Sequence, residues 1–394
     1  MFTQKALDLY EVDTMLSAEQ LQVRDSARAW VRDNLLPHVE TWAWEEKFPT
    51  EVIPELGAMG FLGAPYSEFD LPGLDATSYG LINQELERAD SGLRSFVSVQ
   101  TSLVMYPILM WGSDEQKARW IPPLGAGTAV GCFGLTEPDF GSNPKGMRTR
   151  ARRKNGDWLL NGEKAWITNG SLADVAVVWA RTEDGIRGFL IDTTTPGFSA
   201  VDHRGKYSLR CSVTSQLVLE DCHLPKDAML PGTRGLGNAL ACLNQARYGI
   251  AWGALGSAMA VFEAALDYAS TRLQFGGTPI AAHQMVQEKL VTMYDDIVKG
   301  QLLALRLGQL KEKGALKHQA VSMAKRNNVR VAREAARLAR EIHGANGISS
   351  EYPIMRHLMN METVSTYEGT HDIHTLVLGA FLTGRPAFEP PAQK

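Results

Sequence analysis

The chain has 394 residues, of which 44% are hydrophobic and 21% are charged. At about 150 residues per domain, this length predicts two or three domains, each with its own core. Lysine and arginine number 40 and aspartate and glutamate 44, which gives a net charge of −4. The basic excess expected of a nucleic-acid binder is absent, and ordinary apolar content without long charge blocks argues against disorder.

The cysteines stand far apart and form no CxxC pair, which argues against a zinc site or a disulfide framework and predicts no metal site. The N-terminus lacks both a signal-peptide apolar region and an arginine-rich transit pattern. One uncharged run, Ser95 to Ser113, approaches membrane length, but it is too polar to span a bilayer. We therefore expect a cytoplasmic protein with no membrane partner.

Helix signals dominate residues 1–130. Ser17 and Gln20 form a capping box before a stretch with helical spacing, and Tyr79 to Asp90 predicts another helix. We expect an N-terminal α-helical domain over residues 1–130.

Residues 131–236 have a different character. Asn155-Gly156, Asn161-Gly162 and Asp184-Gly185 are dipeptides of the type that closes β-hairpins. Strand-like segments at 173–180, 186–191 and 216–219 lie around them. The pattern predicts a middle β domain, a small barrel or sandwich.

Residues 237–394 contain long stretches rich in Ala, Leu, Met, Lys and Arg. They run over 239–273, 281–313 and 317–343, lengths that match an antiparallel helical bundle. The predicted fold class is therefore mainly α with a β middle domain, in the order helical, β, helical.

The segment from Thr366 to His374, TYEGTHDIH, is the first chemical signal. An acidic residue followed by glycine, then a threonine that can cap a helix, predicts a carboxylate on a loop at a helix start. Taken alone, it is more often just a capped turn.

Two further motifs lie in the β zone. Residues 131–138, GCFGLTEP, precede Gly141-Ser142, and small residues there let backbone N–H groups approach a ligand. In WITN, residues 166–169, an aromatic beside a hydroxyl can stack on a planar cofactor. The alternatives are a glycine-rich domain junction and an ordinary core tryptophan.

A fourth motif, Arg272 to Gly276 (RLQFG) with Gln284, places an arginine at the end of a long helix. Such an arginine can pair with a pyrophosphate, although a solvated helix end is the default interpretation.

Together and in this order, the four motifs resemble the acyl-CoA dehydrogenase superfamily, and within it the glutaryl-CoA dehydrogenase branch, over about Leu16 to Phe388. The resemblance implies a helical N-domain, a β-barrel, a C-terminal four-helix bundle and an FAD cofactor. It also implies a CoA thioester substrate, electron-transfer flavoprotein as partner, and a homotetramer built as a dimer of dimers with shared flavin sites.

By the same resemblance, Glu368 is the catalytic base, which removes the α-proton of the thioester while a β-hydride leaves to flavin N5. An apolar pocket would raise its pKa and make it a better base. The implied cofactor contacts are Phe133, Leu135, Thr136, Ser142, Trp166, Ile167, Thr168, Arg272, Phe275, Gln284, Glu341, His343, Gly344, Ala345, Tyr367, Thr370 and His374.

The implied substrate contacts are Glu87, Arg94, Ser95, Ser98, Ser142, Leu243, Asn244, Arg247, Gly369 and Phe388. Arg94 is the most informative, because a planar guanidinium can hold the far carboxylate of a dicarboxylyl thioester, whereas a fatty-acyl pocket penalises an unpaired charge. The alternative is an ordinary pair with Asp90, one helical turn away. Leu93 stands where the family usually has an aromatic residue.

This branch implies conversion of glutaryl-CoA to crotonyl-CoA with loss of CO2, with Glu87 linked to the decarboxylating outcome. The pathway, lysine, tryptophan or aromatic degradation, stays open. The alternatives are a dehydrogenase of another short or branched acyl-CoA without decarboxylation, an acyl-CoA oxidase, and a non-catalytic module that keeps the fold.

Overall fold

The computed structural model describes residues 8–387. Phe388, predicted as a substrate contact, lies outside the described residues. The helices are α1 (Ala18–Asn34), α2 (Val39–Glu45), α3 (Ile53–Ala58), α4 (Ala76–Ala89), α5 (Ser91–Ser98), α6 (Tyr106–Trp111), α7 (Asp114–Gly125), α8 (Leu236–Thr271), α9 (Gln284–Glu312), α10 (His318–His343), α11 (Ile354–Val364) and α12 (His371–Thr383). The strands are β1 (Gly131–Gly134), β2 (Arg150–Lys154), β3 (Asp157–Thr168), β4 (Val175–Thr182), β5 (Gly185–Asp192), β6 (Phe198–Asp202), β7 (Thr214–Leu224), β8 (Leu273–Gln274) and β9 (Thr278–Pro279).

The helical N-terminal part begins at the predicted capping box. The backbone N–H of Gln20 donates to Ser17 Oγ at 3.1 Å, and the Gln20 side chain accepts from the Ser17 N–H at 3.0 Å. Further along, α5 continues through a π-helical stretch, Val99–Met105, into α6. Residues 91–105 are all buried, so most of the uncharged run lies in the interior.

The middle part is one seven-stranded sheet of order β1-β4-β2-β3-β7-β6, with β5 paired to β4. Asn155 and Gly156 have φ of 53° and 92° and close the β2–β3 hairpin, as predicted. The β4–β5 hairpin closes with Thr182 opposite Gly185, which confirms the turn at Asp184-Gly185.

The prediction of a third hairpin at Asn161-Gly162 is wrong. Both residues lie inside β3, where the register against β7 shifts between Leu160 and Gly162. Gly162 has φ of 144°, and a Cβ there would lie 2.5 Å from Thr149 Oγ1. The glycine thus serves a β-bulge and a close strand contact.

The C-terminal part contains the three long helices that the composition predicts. The α8 helix packs against α10 and α9, and it also lies against α4 of the N-terminal part. Within residues 8–387, α8 is the one helix long and apolar enough to cross a membrane, but 78% of its apolar window is buried inside the protein. Such burial is typical of a core helix.

Candidate active site

Glu368 lies on a short turn between α11 and α12. The Ile373 N–H donates to Thr370 Oγ1 at 3.1 Å, so Thr370 caps α12 and the predicted carboxylate at a helix start is confirmed as a local structure. Glu368 has φ of 53° and Gly369 has φ of 93°. A Cβ on Gly369 would lie 3.1 Å from His374 Nε2, so both backbone conformation and space favour glycine there.

The carboxylate of Glu368 is poorly solvated. Part of the residue remains accessible, but its Oε2 atom is buried and has no hydrogen-bond partner among the described residues. Burial raises the pKa of Glu368 above its ordinary value, although Lys325, Arg94 and Arg247 oppose this rise. A carboxylate with a raised pKa and a free oxygen is suited to accept a proton from carbon.

Two cations, the buried Lys325 and the partly buried Arg247, hold the backbone of this turn. Arg247 Nε donates to the carbonyl oxygen of Glu368 at 2.7 Å, and Lys325 Nζ donates to the carbonyl oxygens of Tyr367 and Gly369. Arg247 Nη1 also donates to Asn244 Oδ1 at 3.1 Å. The resemblance pointed to Arg247 and Asn244, whereas the sequence analysis missed Lys325.

Arg94 on α5 is fully buried beside this turn. Its Nε donates to Glu87 Oε2 at 2.7 Å and one Nη donates to the Tyr367 hydroxyl. The pair with Asp90 proposed as the alternative is wrong, because α4 ends at Ala89 and Asp90 is extended, with φ of −162°. Asp90 instead caps α5 by accepting from the Gly92 N–H at 2.6 Å.

The other Nη atom of Arg94 is buried and without a partner among the described residues, and the same holds for Ser98 Oγ. Ser95 and Leu93 are also buried on this helix, and Leu243 is partly buried. The predicted substrate contacts therefore include two unsatisfied donors on α5, and Arg94 also contacts Tyr367 of the turn that carries Glu368. Buried polar atoms without partners are rare in folded proteins and indicate a ligand or water.

Gly253 in the middle of α8 is needed for this arrangement and was missed in the sequence. A Cβ there would lie 2.0 Å from Glu87 Oε2 and 3.1 Å from Arg94 Nε. Glycine costs about 1 kcal/mol in a helix interior relative to alanine, so it signals close packing.

The predicted flavin-ring contacts converge where β1 ends and β3 is irregular. The side chains of Phe133 on the edge strand β1 and of Leu135 just after it are buried, so a ligand at this edge would meet backbone atoms of Phe133. On β3, the register shifts between Lys164 and Ile167, and Trp166 adopts φ of 60°. This irregularity turns Trp166 outward, and 65% of the residue is exposed.

A buried ion pair supports this edge. Lys164 Nζ donates to Glu137 Oε1 at 2.9 Å and to the carbonyl of Leu135, while the Ala165 N–H donates to Thr136 O at 2.9 Å. Burial lowers the pKa of Lys164 to about 8. Thr136, Thr168 and Ser142 are at least partly accessible near this edge, and Ile167 is buried beneath it.

A second set of predicted cofactor contacts lies at the far end of α8. Arg272 follows the helix, Phe275 has φ of 46° in the β8–β9 turn and is 85% exposed, and Gln284 is exposed at the start of α9. From Arg247 to Arg272 the helix rises ~38 Å at 1.5 Å per residue. This set therefore lies far along α8 from the Glu368 turn of the same chain.

The third predicted set divides between surface and interior. Glu341 pairs with Lys289 at 2.8 Å, and Gly344 and Ala345 are exposed where α10 ends. His343 is buried and stacks on Tyr268, so its side chain does not face a surface.

His374 is also buried, and burial lowers its pKa to about 2, which keeps it neutral beside the Glu368 turn. Within residues 8–387, no cluster of three or more His, Cys, Asp or Glu side chains could hold a metal ion.

A desolvated carboxylate on a turn held by two cations is typical of an enzyme that removes a proton from carbon. An edge strand beside an outward-facing tryptophan is suited to a planar cofactor. The site is therefore suited to an enzyme that combines a carboxylate base with a planar cofactor.

Comparison with known proteins gives the family. Acyl-CoA dehydrogenase models match the chain over residues 17–128 (N-terminal domain), 132–222 (middle domain) and 233–383 (C-terminal domain). A crystal structure of glutaryl-CoA dehydrogenase from Mycobacterium smegmatis is 52% identical with a TM-score of 0.96, covering 97% of this chain and 99% of that one. A second one from this organism, in complex with FADH2, is 49% identical with a TM-score of 0.96 and the same coverage, 97% and 99%.

Curated relatives carry other names. An acyl-CoA dehydrogenase of Bacillus subtilis is 37% identical over 94% of this chain and 99% of its own length. Human mitochondrial short-chain specific acyl-CoA dehydrogenase is 35% identical over 91% of this chain and 88% of its own length. The chain belongs to the acyl-CoA dehydrogenase family, and its cofactor is FAD. The Trp166 irregularity and the free edge of β1 fit a flavin ring.

Proposed function

We propose that this enzyme converts glutaryl-CoA to crotonyl-CoA and CO2 and passes the electrons to electron-transfer flavoprotein. The observation that carries the proposal is the fully buried Arg94, which keeps one Nη without a partner among the described residues. A buried guanidinium donor left open is costly unless a ligand satisfies it. The far carboxylate of a glutaryl chain has the charge and geometry to do so, and Ser98 Oγ can donate to it as well.

Glu368 acts as the base. Its desolvated carboxylate takes the α-proton of the thioester, and bound FAD supplies the acceptor for the β-hydride. Loss of the two hydrogens gives the 2,3-unsaturated dicarboxylyl thioester. The far C–C bond then breaks, CO2 leaves, and the electron pair left on carbon takes the proton back from Glu368 to give crotonyl-CoA. The Glu368 N–H can donate to the thioester oxygen as charge develops there.

The alternative is a dehydrogenase of a short or branched acyl-CoA that does not decarboxylate its product. One observation favours it, because Glu87 already neutralises the charge of Arg94 at 2.7 Å. A neutral pair has less attraction for a substrate carboxylate than a free guanidinium has.

Anaerobic addition of glutaryl-CoA to the holoenzyme, with flavin bleaching and CO2 release measured together, separates the two. Bleaching with CO2 release supports the proposal, whereas bleaching without it supports the alternative.

A second experiment uses the variant Arg94→Gln, with Arg119→Gln on the surface as the control. Arg94→Gln is expected to weaken glutaryl-CoA binding by 10-fold or more, because a charged hydrogen bond contributes about 1.5–3 kcal/mol. The same variant should leave butyryl-CoA binding within about 3-fold of the wild type. An equal loss of binding affinity for glutaryl-CoA and butyryl-CoA would contradict the proposal.

The arrangement of the predicted cofactor contacts also suggests that two chains contribute to each flavin site. The set Arg272, Phe275 and Gln284 lies too far along α8 to reach the flavin of its own chain, so we propose that it contacts the flavin tail of a neighbour in a dimer of dimers. Phe275, which is 85% exposed, is the side chain that such a contact would cover. Cytoplasmic localisation remains a prediction.

A further inference from the structure

Lys325 is a buried lysine on the apolar face of α10. It lies on the face of α10 that also carries Val321, Ala324 and Asn328, and the whole residue is 1% exposed. A buried ammonium is costly unless its donors are satisfied and a charge of opposite sign is near. Its partners therefore indicate what it stabilises.

The partners of Lys325 are the two carbonyl oxygens on either side of Glu368. Lys325 Nζ donates to Tyr367 O and, at 2.7 Å, to Gly369 O, while Arg247 Nε donates to Glu368 O at 2.7 Å. Three successive carbonyls are thus held by cations from α10 and α8. Because Glu368 has φ of 53°, a conformation unfavourable for a non-glycine residue, these contacts hold a turn that would otherwise relax.

We propose that Lys325 is a positioning residue, which fixes the turn that carries Glu368 and places a positive charge beside its carboxylate. This inference rests on the proposed role of Glu368 as the base. Lys325 does not contact the substrate in this scheme, and it acts through the residue that does.

The charged and titratable groups facing Lys325 come from several elements. They are Glu368 on the turn, Arg94 on α5, Arg247 on α8 and the neutral His374 on α12. Burial lowers the pKa of Lys325, and the Glu368 carboxylate opposes this. Burial raises the pKa of Glu368, and among the charges that lower this pKa Lys325 has the largest effect. Loss of the lysine charge therefore raises the pKa of Glu368 further, and the base becomes protonated over a wider pH range.

The test compares Lys325→Gln and Lys325→Arg with Lys299→Gln, an exposed lysine on α9 that loses the same charge. Each FAD-loaded enzyme is mixed anaerobically with glutaryl-CoA or butyryl-CoA, whichever bleaches the wild-type flavin faster, across a pH series. The Glu368 carboxyl band, assigned by infrared difference against Glu368→Gln, is titrated without substrate as an independent readout. Lys325→Met replaces the Gln variant if that variant does not fold with FAD.

In Lys325→Gln the acid limb of the bleaching profile and the carboxyl midpoint are expected to move upward together by about one pH unit or more. Lys325→Arg and Lys299→Gln are expected to keep the wild-type midpoint. A lower rate with an unchanged midpoint would overturn the proposal, because any disturbance of packing produces it. Retention of bleaching in Glu368→Gln would instead contradict the proposed function and not this inference alone.

Discussion

The carboxylate of Glu87 and the guanidinium of Arg94 form an ion pair at 2.7 Å, with both side chains completely shielded from solvent. Ser91 Oγ donates to the other carboxylate oxygen of Glu87 at 2.8 Å. Because burial removes the hydration of both groups, neither charge is stable there without the other. Glu87 thus neutralises the charge of Arg94.

Glu87→Gln is therefore expected to leave an uncompensated cation in the interior. The free energy of unfolding of the holoenzyme should fall by about 3 kcal/mol, as for other broken buried pairs, measured by urea denaturation. Glu263→Gln, which breaks a more exposed pair with Arg88, is the control and should cost about 1 kcal/mol or less. Equal stability of Glu87→Gln and the wild type would contradict the buried-pair interpretation.

The same variant also probes what Arg94 recognises. Once Glu87 is neutral, Glu368 is the remaining carboxylate that acts on Arg94, and an anionic acyl chain can balance the guanidinium directly. Glutaryl-CoA should then raise the melting temperature of Glu87→Gln more than that of the wild type, while butyryl-CoA should raise both equally. Identical thermal shifts for the two ligands would place the acyl end away from Arg94.

Gly253→Ala tests the space that α8 leaves for this pair. The new Cβ would lie 2.0 Å from Glu87 Oε2, so the carboxylate must move away from Arg94. We expect a loss of about 3 kcal/mol in unfolding free energy. Gly237→Ala, on the same helix with no atom within 4 Å of its Cβ, should instead be neutral or stabilise by up to about 1 kcal/mol. If both variants gained stability, the close approach of Gly253 to Glu87 would not contribute to the free energy of unfolding, and the interpretation would be wrong.

Local sequence patterns predicted the elements around the site well. The stretch 317–343 corresponds to α10 at His318–His343, and the threonine after Glu368-Gly369 caps α12 as expected. These features depend on helical spacing and on capping by a nearby side chain. Both act over a few residues, so the sequence displays them directly.

Contacts between elements were harder to predict. The helical spacing of Asp90 and Arg94 suggested a pair, but the helix breaks at Asp90 and the partner of Arg94 is Glu87, on the preceding helix. Lys325 carried a signal, since it stands on the apolar face of its helix, but its partners lie 42 and 44 residues away. Gly162 shows the same limit, because a turn dipeptide and a bulge look alike without knowledge of the neighbouring strand.

Trp166 gives a prediction for FAD binding. Because 65% of it is exposed, Trp166→Ala should leave folding intact, and loss of its stacking should weaken FAD binding by about 10-fold, or about 1.4 kcal/mol. FAD fluorescence titration of the apoprotein measures this. Trp44→Ala, at an exposed tryptophan (76%) of the N-terminal helices, is the control and should bind FAD as the wild type does. Unchanged FAD affinity in Trp166→Ala would remove this residue from the flavin site.

The dimer proposal predicts complementation between two inactive chains. Glu368→Gln removes the proposed base, and Arg272→Ala removes a contact that we assign to the flavin of the neighbour. In a hybrid of the two variants, one flavin site contains an intact Glu368 from one chain and an intact Arg272 from the other. Co-expression with two affinity tags, followed by purification of the hybrid, should therefore restore about half of the activity per dimer.

The geometry of α8 makes the opposite result equally informative. If Arg272 served the flavin of its own chain, each site in the hybrid would lack one of the two groups and no activity would return. The rise of ~38 Å between Arg247 and Arg272 argues against that arrangement. A hybrid of Glu368→Gln with Arg94→Gln is the matched control. It should stay inactive, because Arg94 donates to the hydroxyl of Tyr367, the residue before Glu368, so Arg94 and Glu368 of one chain belong to the same site.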